Sequence, residues 1–424
     1  MKLQYFLLIS MPLVCFAQSE IKTNPLPQPT ESNENYSKVI GWKDGRVPQA
    51  PAGFTVTKYA EGFENPRWMY VTPNGDILVA ESNSNYSIPK QVGAAIIGAG
   101  GSNNLKNSAD RITLLRDTDK DGNPDVREIF LTENEGLNQP FGMLVIGDWF
   151  YVANTGEVLR FPYKPGLTKI SIKGQKVFEL PTGKHNQHWT RNLIANADNS
   201  KIYIAVGSGS NIAENGINEE KFKASILEIN PDGTEFRVYA SGLRNPVGMD
   251  WAPGTKKLWT VVNERDKLGD DLVPDYLTSV KEKGFYGWPY SYFGKNVDIR
   301  VTPPRADLVK KAIIPDFALG AHTASLGLAF YKENTFPEKY KNGAFIAQHG
   351  SWNRKILSGY KVIFVPFKNG KPSGPAEDFL TGFIVDPNKD EVYGRPTGVA
   401  VAADGALLLT DDKTHTIWRV TATK

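Results

Sequence analysis

Apolar and polar residues alternate along this chain in pairs of short stretches joined by tight turns. In the clearest pair, alternation runs over residues 247–251, a Pro-Gly turn follows at 252–255, and a second apolar stretch spans 258–262. This pattern predicts a β-hairpin. Since hairpin strands run antiparallel, the residues before the first strand and after the second emerge at one end. Charge is therefore predicted to collect at that end, where Arg244 and Glu264 stand.

The same arrangement of strand, turn and strand recurs along the chain. Its six copies span residues 65–81, 139–154, 188–206, 241–265, 325–349 and 395–411. A sheet unit repeated in this way is typical of a β-propeller. The sequence therefore predicts an all-β protein, a six-bladed β-propeller with long loop insertions and one short helix.

The ends of the repeat region predict how the ring closes. Residues 54–60 alternate like a strand and have no hairpin partner of their own. We expect them to pair with residues 416–420 of the last blade, because closure removes a free sheet edge. The chain is then divided into a signal peptide at 1–17, a polar tether at 18–51 with too little apolar content to pack, and the propeller at 52–424.

One stretch has the spacing of a helix. In residues 272–283, Leu272, Tyr276, Leu277 and Val280 recur at intervals that place them on one helical face. This stretch is predicted to be the one short helix.

The start of the chain predicts export. A weakly basic start precedes an apolar run at residues 6–14 and small residues before a cut after Ala17, as in a signal peptide. The mature protein is then periplasmic or secreted. A lipoprotein anchored at Cys15 is the alternative, although Val14 is bulkier than the residue usual before such a cysteine. Cys15 is the only cysteine, so the mature chain would have no disulfide or thiol nucleophile.

Composition excludes two classes of partner. The net charge of +3 over 424 residues is too small and too dispersed to indicate nucleic-acid binding. No apolar run after the start approaches the ~20 residues of a transmembrane span.

Two loops carry recognisable patterns. The glycine-rich residues 93–102 lie in an insertion at 82–109, but they lack the strand, helix and later acidic residue of a dinucleotide site. The insertion is interpreted as a flexible segment that leaves from the charged end and could cover it. The second loop has acidic side chains at the spacing of a calcium loop, with Gly at its sixth position: Asp117, Asp119, Asp121, Asp125 and Glu128. A structural calcium and a polar turn without an ion both stay open.

Arginine and histidine are concentrated at the open ends of the hairpins. The side chains at these ends are Arg67, His185, His188, Arg191, Arg244, Asn245, His322 and Arg395 before first strands, and Glu81, Asn263, Glu264, Arg265, His349, Trp352, Asn353, Arg354, Asp411 and Asp412 after second strands. In a propeller these ends surround one mouth of the central channel. Arginine binds carboxylates through paired N–H donors, so the set suits a planar, polar anion. His185 and His188 could chelate zinc, His188 could act as a general base, or both could serve packing.

Several motifs resemble the glucose/sorbosone dehydrogenase family. They lie at residues 188–193, 241–248, 259–266, 269–275, 286–289, 321–327, 348–354 and 393–400, and the similarity covers residues 54–420. It is closest to the sorbosone or pyranose dehydrogenase branch. The resemblance implies a six-bladed propeller that uses pyrroloquinoline quinone (PQQ) and calcium to oxidise an aldose, sorbosone or a similar sugar.

The resemblance also implies roles for individual residues. His188 is expected to be the general base, and Arg244 is expected to polarise the cofactor and, with Asn245, to hold it. Glu264 and Arg265 are expected to offer backbone oxygens to calcium. Further cofactor or substrate contacts are expected from Arg67, Arg191, His349, Trp352, Arg354 and Arg395. Some family members carry a cytochrome domain; with no Cys-x-x-Cys-His motif here, a separate electron acceptor is expected.

Two other functions stay open on the sequence alone. A non-catalytic propeller that binds glycans would also have a polar arm and a calcium loop. A lactonase-like propeller would hold calcium by side-chain carboxylates in the channel and would need no quinone.

Overall fold

A computed structural model describes residues 26–386 and 389–423, and six β-sheets form the body of the protein. Each sheet is built on four antiparallel strands, and the innermost strands of neighbouring sheets contact one another in a closed circle. The predicted six-bladed β-propeller is therefore confirmed. The predicted signal peptide lies outside the described residues.

The first half of the chain forms three blades. Two strands precede them: β1 (Lys38–Val39) and β2 (Phe54–Glu61). Blade 1 contains β3 (Pro66–Val71), β4 (Ile77–Glu81), β5 (Arg111–Arg116) and β6 (Val126–Leu131), with helix α1 (Ile88–Ile96) between β4 and β5. Blade 2 contains β7 (Met143–Ile146), β8 (Trp149–Ala153), β9 (Glu157–Pro162) and β10 (Gln175–Glu179). Blade 3 contains β11 (Arg191–Ala195), β12 (Ile202–Val206), β13 (Ser225–Ile229) and β14 (Arg237–Ser241).

The second half forms the other three blades. Blade 4 contains β15 (Asn245–Trp251), β16 (Leu258–Asn263), β17 (Pro274–Ser279) and β21 (Phe317–Ala321). Between β17 and β21 lie the short strands β18 (Gly284–Phe285), β19 (Ser291–Tyr292) and β20 (Asn296–Val297) and helix α2 (Ala306–Lys311). Blade 5 contains β22 (Ser325–Phe330), β23 (Gly343–Gln348), β24 (Lys361–Lys368), β25 (Lys371–Pro372) and β26 (Glu377–Leu380). After β27 (Glu391–Val392), blade 6 contains β28 (Pro396–Val401), β29 (Leu407–Asp411) and β30 (Thr416–Ala422).

The ring closes as predicted. Strand β2 pairs antiparallel with β30, with Val56 opposite Val420, so the start and end of the propeller share the sheet of blade 6. This pairing leaves no free edge at the junction between the first and last blades.

Glycines explain how the inner strands approach so closely. A Cβ on Gly142 would lie 2.4 Å from the Leu193 amide nitrogen of the next blade, and a Cβ on Gly327 would lie 2.6 Å from the Thr397 carbonyl oxygen. A side chain at either position would push two blades apart. The recurring glycine in the hairpin motif therefore reflects backbone contact between blades.

The predicted helix at residues 272–283 is wrong. Residues 274–279 form strand β17, which pairs with β16 and β21. Tyr276 packs in one apolar cluster and Leu277 in another. Because both faces of the strand are buried, its two-residue alternation is hidden, and the apolar positions mimic helical spacing. The short helices are α1 and α2 instead.

The prediction that the polar segment 18–51 does not pack is wrong for residues 26–51. Strand β1 pairs in parallel with β27, and Trp42 packs against the apolar cluster of blades 5 and 6. Ser37 is fully buried. The polar residues of this segment pack through hydrogen bonds to loops. The proportion of apolar residues in a segment does not predict such bonds.

Candidate functional site

The loops at one end of the propeller enclose a cavity of about 290 Å³. Eight residues predicted for the site line it: Arg67, His188, Arg244, Asn245, Glu264, His349, Trp352 and Arg395. They come from blades 1, 3, 4, 5 and 6. The open hairpin ends therefore meet around one mouth, as the repeat pattern predicts.

His188 presents one ring nitrogen for chemistry. Its Nδ1 lies 2.9 Å from the Ser208 carbonyl oxygen, which can only accept a hydrogen bond, so Nδ1 carries the proton. Its Nε2 is then an unprotonated acceptor and forms no hydrogen bond with the described residues. Burial and the nearby Arg244 guanidinium lower the pKa of His188 to about 3. The imidazole is therefore neutral at pH 7.

Arg244 is buried and held by protein groups. Its Nη1 donates to the Glu264 carbonyl oxygen at 2.7 Å, and its Nη2 donates to Asp266 Oδ2 at 3.0 Å and to Asn211 Oδ1 at 2.9 Å. Asp266 also lies beside His322, with Oδ1 3.6 Å from Nδ1. Burial disfavours a charged His322, but its contacts with Asp266 and the Gly269 carbonyl raise its pKa. Arg244 is thus fixed in one position by a buried polar network.

A second network lies on the other side of the cavity. Asp412 accepts hydrogen bonds from Arg67 Nη1 and, at 3.0 Å, from His349 Nε2. Burial acts against ionisation of Asp412, but His349 and Arg67 lower its pKa. Arg67 keeps a buried Nε that has no hydrogen-bond partner among the described residues. This network places the Arg67 guanidinium at the cavity wall with one N–H group free to donate a hydrogen bond.

Arg395 and Lys413 bond to neutral oxygens. Arg395 Nη1 donates to the Ser102 carbonyl oxygen and to Asn103 Oδ1, both at 2.9 Å. Lys413 Nζ donates to the carbonyl oxygens of Asn103, at 2.8 Å, and Gly100, at 3.1 Å. All these acceptors belong to the insertion between β4 and β5. The insertion therefore covers part of the mouth, and neither the buried Arg395 nor the half-buried Lys413 forms a direct ion pair with a carboxylate of the described residues.

Three predicted residues do not line the cavity. Arg191 is fully buried behind it, where Nη1 donates to the His188 carbonyl oxygen at 2.7 Å and Nη2 to Asn186 Oδ1 at 2.7 Å. Arg265 is buried among Glu264, Asp298 and backbone carbonyls. Arg354 pairs with the exposed Asp271. The Arg191 guanidinium therefore does not reach a ligand in the cavity. Its side chain supports the His188 loop instead.

The structure adds cavity residues that were not assigned roles from the sequence: Asn83, Tyr86, Asn103, Asp266, Asp275, His322, Asp412 and Lys413. His322 and Asp412 were recognised at hairpin ends, but the pairing of His322 with Asp266 and of Asp412 with Arg67 and His349 was not predicted. The insertion was expected to be able to cover the charged end, but the sequence does not identify which of its residues reach the cavity.

The acidic loop between β5 and β6 comes together only in part. Carboxylate oxygens of Asp117, Asp119 and Asp125 lie within 4.8 Å of one another. Asp121 instead accepts a hydrogen bond from the Asn123 amide at 2.7 Å, and Glu128 lies on β6 outside the group. Among the described residues this is the one such group; His185 and His188 form none.

The closed ring of six sheets with a polar mouth defines the class of this protein as a six-bladed β-propeller, and solved structures with this fold include sugar dehydrogenases. The PQQ domain of pyranose dehydrogenase from Coprinopsis cinerea, in its holo form, has the same fold, with a TM-score of 0.70, 19% identity, and coverage of 91% of this chain and 100% of that chain. A family model described as "Domain of unknown function (DUF7133)" matches residues 48–417, and the chain belongs to that family.

Relatives with higher identity include proteins with and without an assigned activity. An uncharacterized protein of Borreliella burgdorferi is 32% identical over 295 residues, which cover 67% of this chain and 76% of that protein. The aldose sugar dehydrogenase YliI of Escherichia coli is 30% identical over 147 residues, or 34% of each chain. In the part of the chain that the structure describes, no helix is long and apolar enough to cross a membrane.

Proposed function

We propose that this protein is a dehydrogenase that oxidises an aldose, sorbosone or a similar sugar with PQQ bound in the mouth cavity. One observation carries the proposal: a neutral His188, whose Nε2 is free to accept a proton, shares a cavity with the buried Arg395 and the half-buried Lys413, whose hydrogen-bond partners are neutral oxygens. Burying a cation costs free energy unless an anion pairs with it. Asp412 is the nearby carboxylate, but it pairs with Arg67 and His349, so an anionic ligand would give Arg395 and Lys413 a direct partner.

The donors and acceptors around the cavity fit PQQ and calcium. PQQ is planar and has three carboxylates, which suits Arg67, Arg395 and Lys413. Buried polar atoms normally have partners, yet Arg67 Nε, Asn245 Oδ1 and Glu264 Oε1 have none among the described residues. A free donor suits a carboxylate, and free oxygens suit calcium. The cavity therefore offers a free hydrogen-bond donor to PQQ and free oxygen atoms to calcium.

The protein's own residues would bind and deprotonate the sugar. When bound, PQQ with calcium supplies an acceptor for the hydride that leaves the sugar's anomeric carbon. His188 takes the proton of the hydroxyl on that carbon at Nε2, because Nδ1 is already bonded to Ser208. Arg244 and Asn245 hold the cofactor, and Asp266 keeps the Arg244 guanidinium in place.

Reconstitution tests this function. The full chain, loaded with PQQ and calcium, is mixed with a redox dye and a panel of aldoses and sorbosone. We expect dye reduction with at least one sugar and none without PQQ. Failure of every sugar, together with failure to bind PQQ, would overturn the proposal.

We also propose that the protein acts after export and passes electrons to a separate acceptor. The start of the chain has the pattern of a signal peptide with a cut near Ala17, and the sequence has no Cys-x-x-Cys-His motif for a covalent haem. The dye in the reconstitution assay stands in for that acceptor.

Gly207 sets the spacing of the site. It follows β12, and a Cβ there would lie 2.5 Å from both Asn245 Oδ1 and His188 Cβ. We expect Gly207→Ala to displace both side chains and to lower kcat by about 10- to 100-fold, since small misplacements of catalytic groups have effects of this size. Steady-state kinetics with the loaded protein measure it. Gly93→Ala, on the exposed side of α1 with no atom within 4 Å of the new Cβ, is the control. Equal kcat in wild type and Gly207→Ala would contradict the assigned geometry.

The Asp117 loop is proposed to bind a structural calcium. Asp117 Oδ1 is buried without a partner beside Asp119 and Asp125, so a cation would satisfy it. We expect calcium to raise the melting temperature of the apoprotein, and Asp119→Asn/Asp125→Asn to bind one calcium fewer per chain in calorimetry. Asp198→Asn, in another exposed turn, is the control. Equal calcium binding by the double variant and wild type would contradict the site.

A further inference from the structure

Residues 30–46 cross the rim of the mouth as an extended strap that is not needed to build any blade. The Thr30 amide donates to the Leu268 carbonyl oxygen at 3.0 Å, and the Gly269 amide donates to Ser32 Oγ at 2.9 Å. A Cβ on Gly269 would lie 2.1 Å from Thr30 Oγ1, so the two backbones are in close contact. The strap thus holds the loop that follows Asp266 in blade 4.

The next residues of the strap hold the loop after His349 in blade 5. The Asn35 amide donates to the Trp352 carbonyl oxygen at 2.8 Å, and Asn35 Nδ2 donates to the Lys355 carbonyl oxygen at 2.8 Å. Asn353 Nδ2 donates to the Asn33 carbonyl oxygen at 3.0 Å. These bonds run in both directions, so the strap and the loop fix each other.

The strap then reaches blade 6 and the insertion. Trp42 Nε1 donates to Asp411 Oδ2 at 2.8 Å, while Asp411 Oδ1 accepts the Arg395 amide at 2.8 Å. The Ser37 carbonyl oxygen would lie 3.1 Å from a Cβ on Gly101, next to the residues that contact Arg395. One segment therefore contacts four of the loops that carry the cavity.

Between these anchor points, Tyr36 stacks on Trp352. Their ring centroids are 5.7 Å apart and the ring planes are 12° from parallel. Trp352 lines the cavity, whereas Tyr36, which stacks on it, does not. The Tyr36 hydroxyl forms no hydrogen bond with the described residues, so its contribution comes from the ring. Stacked aromatic rings have preferred geometries and hold one another in place.

We propose that Tyr36 is a positioning residue that sets sugar affinity by holding the Trp352 indole as a flat surface at the mouth. The inference rests on the proposed function for its substrate: the apolar C–H face of a pyranose ring would lie on that surface. Because the strap touches Trp352 and not His188, Tyr36 acts on binding rather than on proton transfer.

The test compares Tyr36→Ala, Tyr36→Phe and wild type after loading with PQQ and calcium. We expect Tyr36→Ala to raise KM for the sugar about tenfold, the upper range for one aromatic pair, with kcat changed less than about twofold. Tyr36→Phe should restore the wild-type KM. Tyr239→Ala removes a partly buried tyrosine from the outer strand of blade 3 and should leave KM unchanged.

A second readout separates this inference from the proposed function. Hydrogen exchange of residues 349–357 should be faster in Tyr36→Ala than in wild type and Tyr36→Phe, whether or not a sugar is oxidised. If no sugar is turned over but exchange changes in this way, the proposed function fails and the positioning role stands. If KM and exchange are the same in Tyr36→Ala and wild type, the positioning role is overturned.

Discussion

His188→Asn is expected to lower kcat by about 10²- to 10⁴-fold, the usual contribution of a general base. The asparagine amide can still donate to the Ser208 carbonyl, which His188 Nδ1 contacts at 2.9 Å, but nothing replaces Nε2. The loop should keep its position and PQQ should still bind. Single-turnover and steady-state kinetics, with a PQQ titration of each protein, measure the two effects separately.

The matched control is His185→Asn. His185 is an exposed histidine on the same loop and does not line the mouth cavity. It should leave kcat unchanged. A His188→Asn variant with wild-type kcat would show that proton transfer does not depend on this imidazole, as would be expected of a glycan-binding propeller.

The pH profile gives an independent check on His188. A base works in its neutral form, which is populated above its pKa, and burial and Arg244 lower that pKa to about 3. Between pH 5 and 8 the imidazole therefore stays neutral, and His188 should contribute no acidic limb to kcat/KM near the ordinary histidine pKa of about 6.5. An acidic limb at that pH that disappears in His188→Asn would contradict the assigned environment.

Arg244→Met is expected to have the largest effect on cofactor binding and on stability. It removes the cation that pairs with Asp266 at 3.0 Å, and breaking a fully buried pair typically costs about 3–5 kcal/mol. The free energy of unfolding should fall by less than that amount, because Asp266 is partly exposed and keeps His322 beside it, and PQQ affinity should be lost. Denaturant unfolding and calorimetric titration measure the two effects.

Adding Asp266→Asn to Arg244→Met separates stability from binding. Neutralising Asp266, which has lost its arginine partner, should restore part of the free energy of unfolding. The two residues are in contact, so the effects of their substitutions do not add. PQQ affinity should stay low. Arg305→Met, which breaks an exposed pair with Asp307 on α2, is the surface control. Full PQQ affinity in Arg244→Met would remove this arginine from the binding site.

The sequence predicts the ring well because a propeller repeats its signal. The hairpin alternation and the closure of β2 on β30 follow from local pattern and from the cost of a free edge. Strand β17 was mistaken for a helix since Tyr276 and Leu277 are buried on opposite faces, which erases the alternation. Local pattern thus identifies half-buried strands better than fully buried ones.

The sequence predicts which types of residue form the site better than it predicts the contacts between them. His188, Arg244 and Arg395 stand at hairpin ends, so topology alone brings them to one mouth. Lys413 was not assigned a role because it bonds to the insertion of another blade, and Asp266 was not assigned one although it pairs with Arg244 at the open end of the same hairpin. The strap was missed for a related reason: Tyr36 and Trp352 are 316 positions apart in sequence, and the bonds around them involve backbone groups.

Cofactor binding in the mouth cavity is tested most directly by a calorimetric titration of the full chain with PQQ in the presence of calcium, paired with the melting temperature. We expect one PQQ per chain and a higher melting temperature, since a ligand that binds only the folded state stabilises it. Both effects should be lost in Arg244→Met. No binding to the wild type, or binding that Arg244→Met leaves unchanged, would contradict the claim that this cavity holds the cofactor.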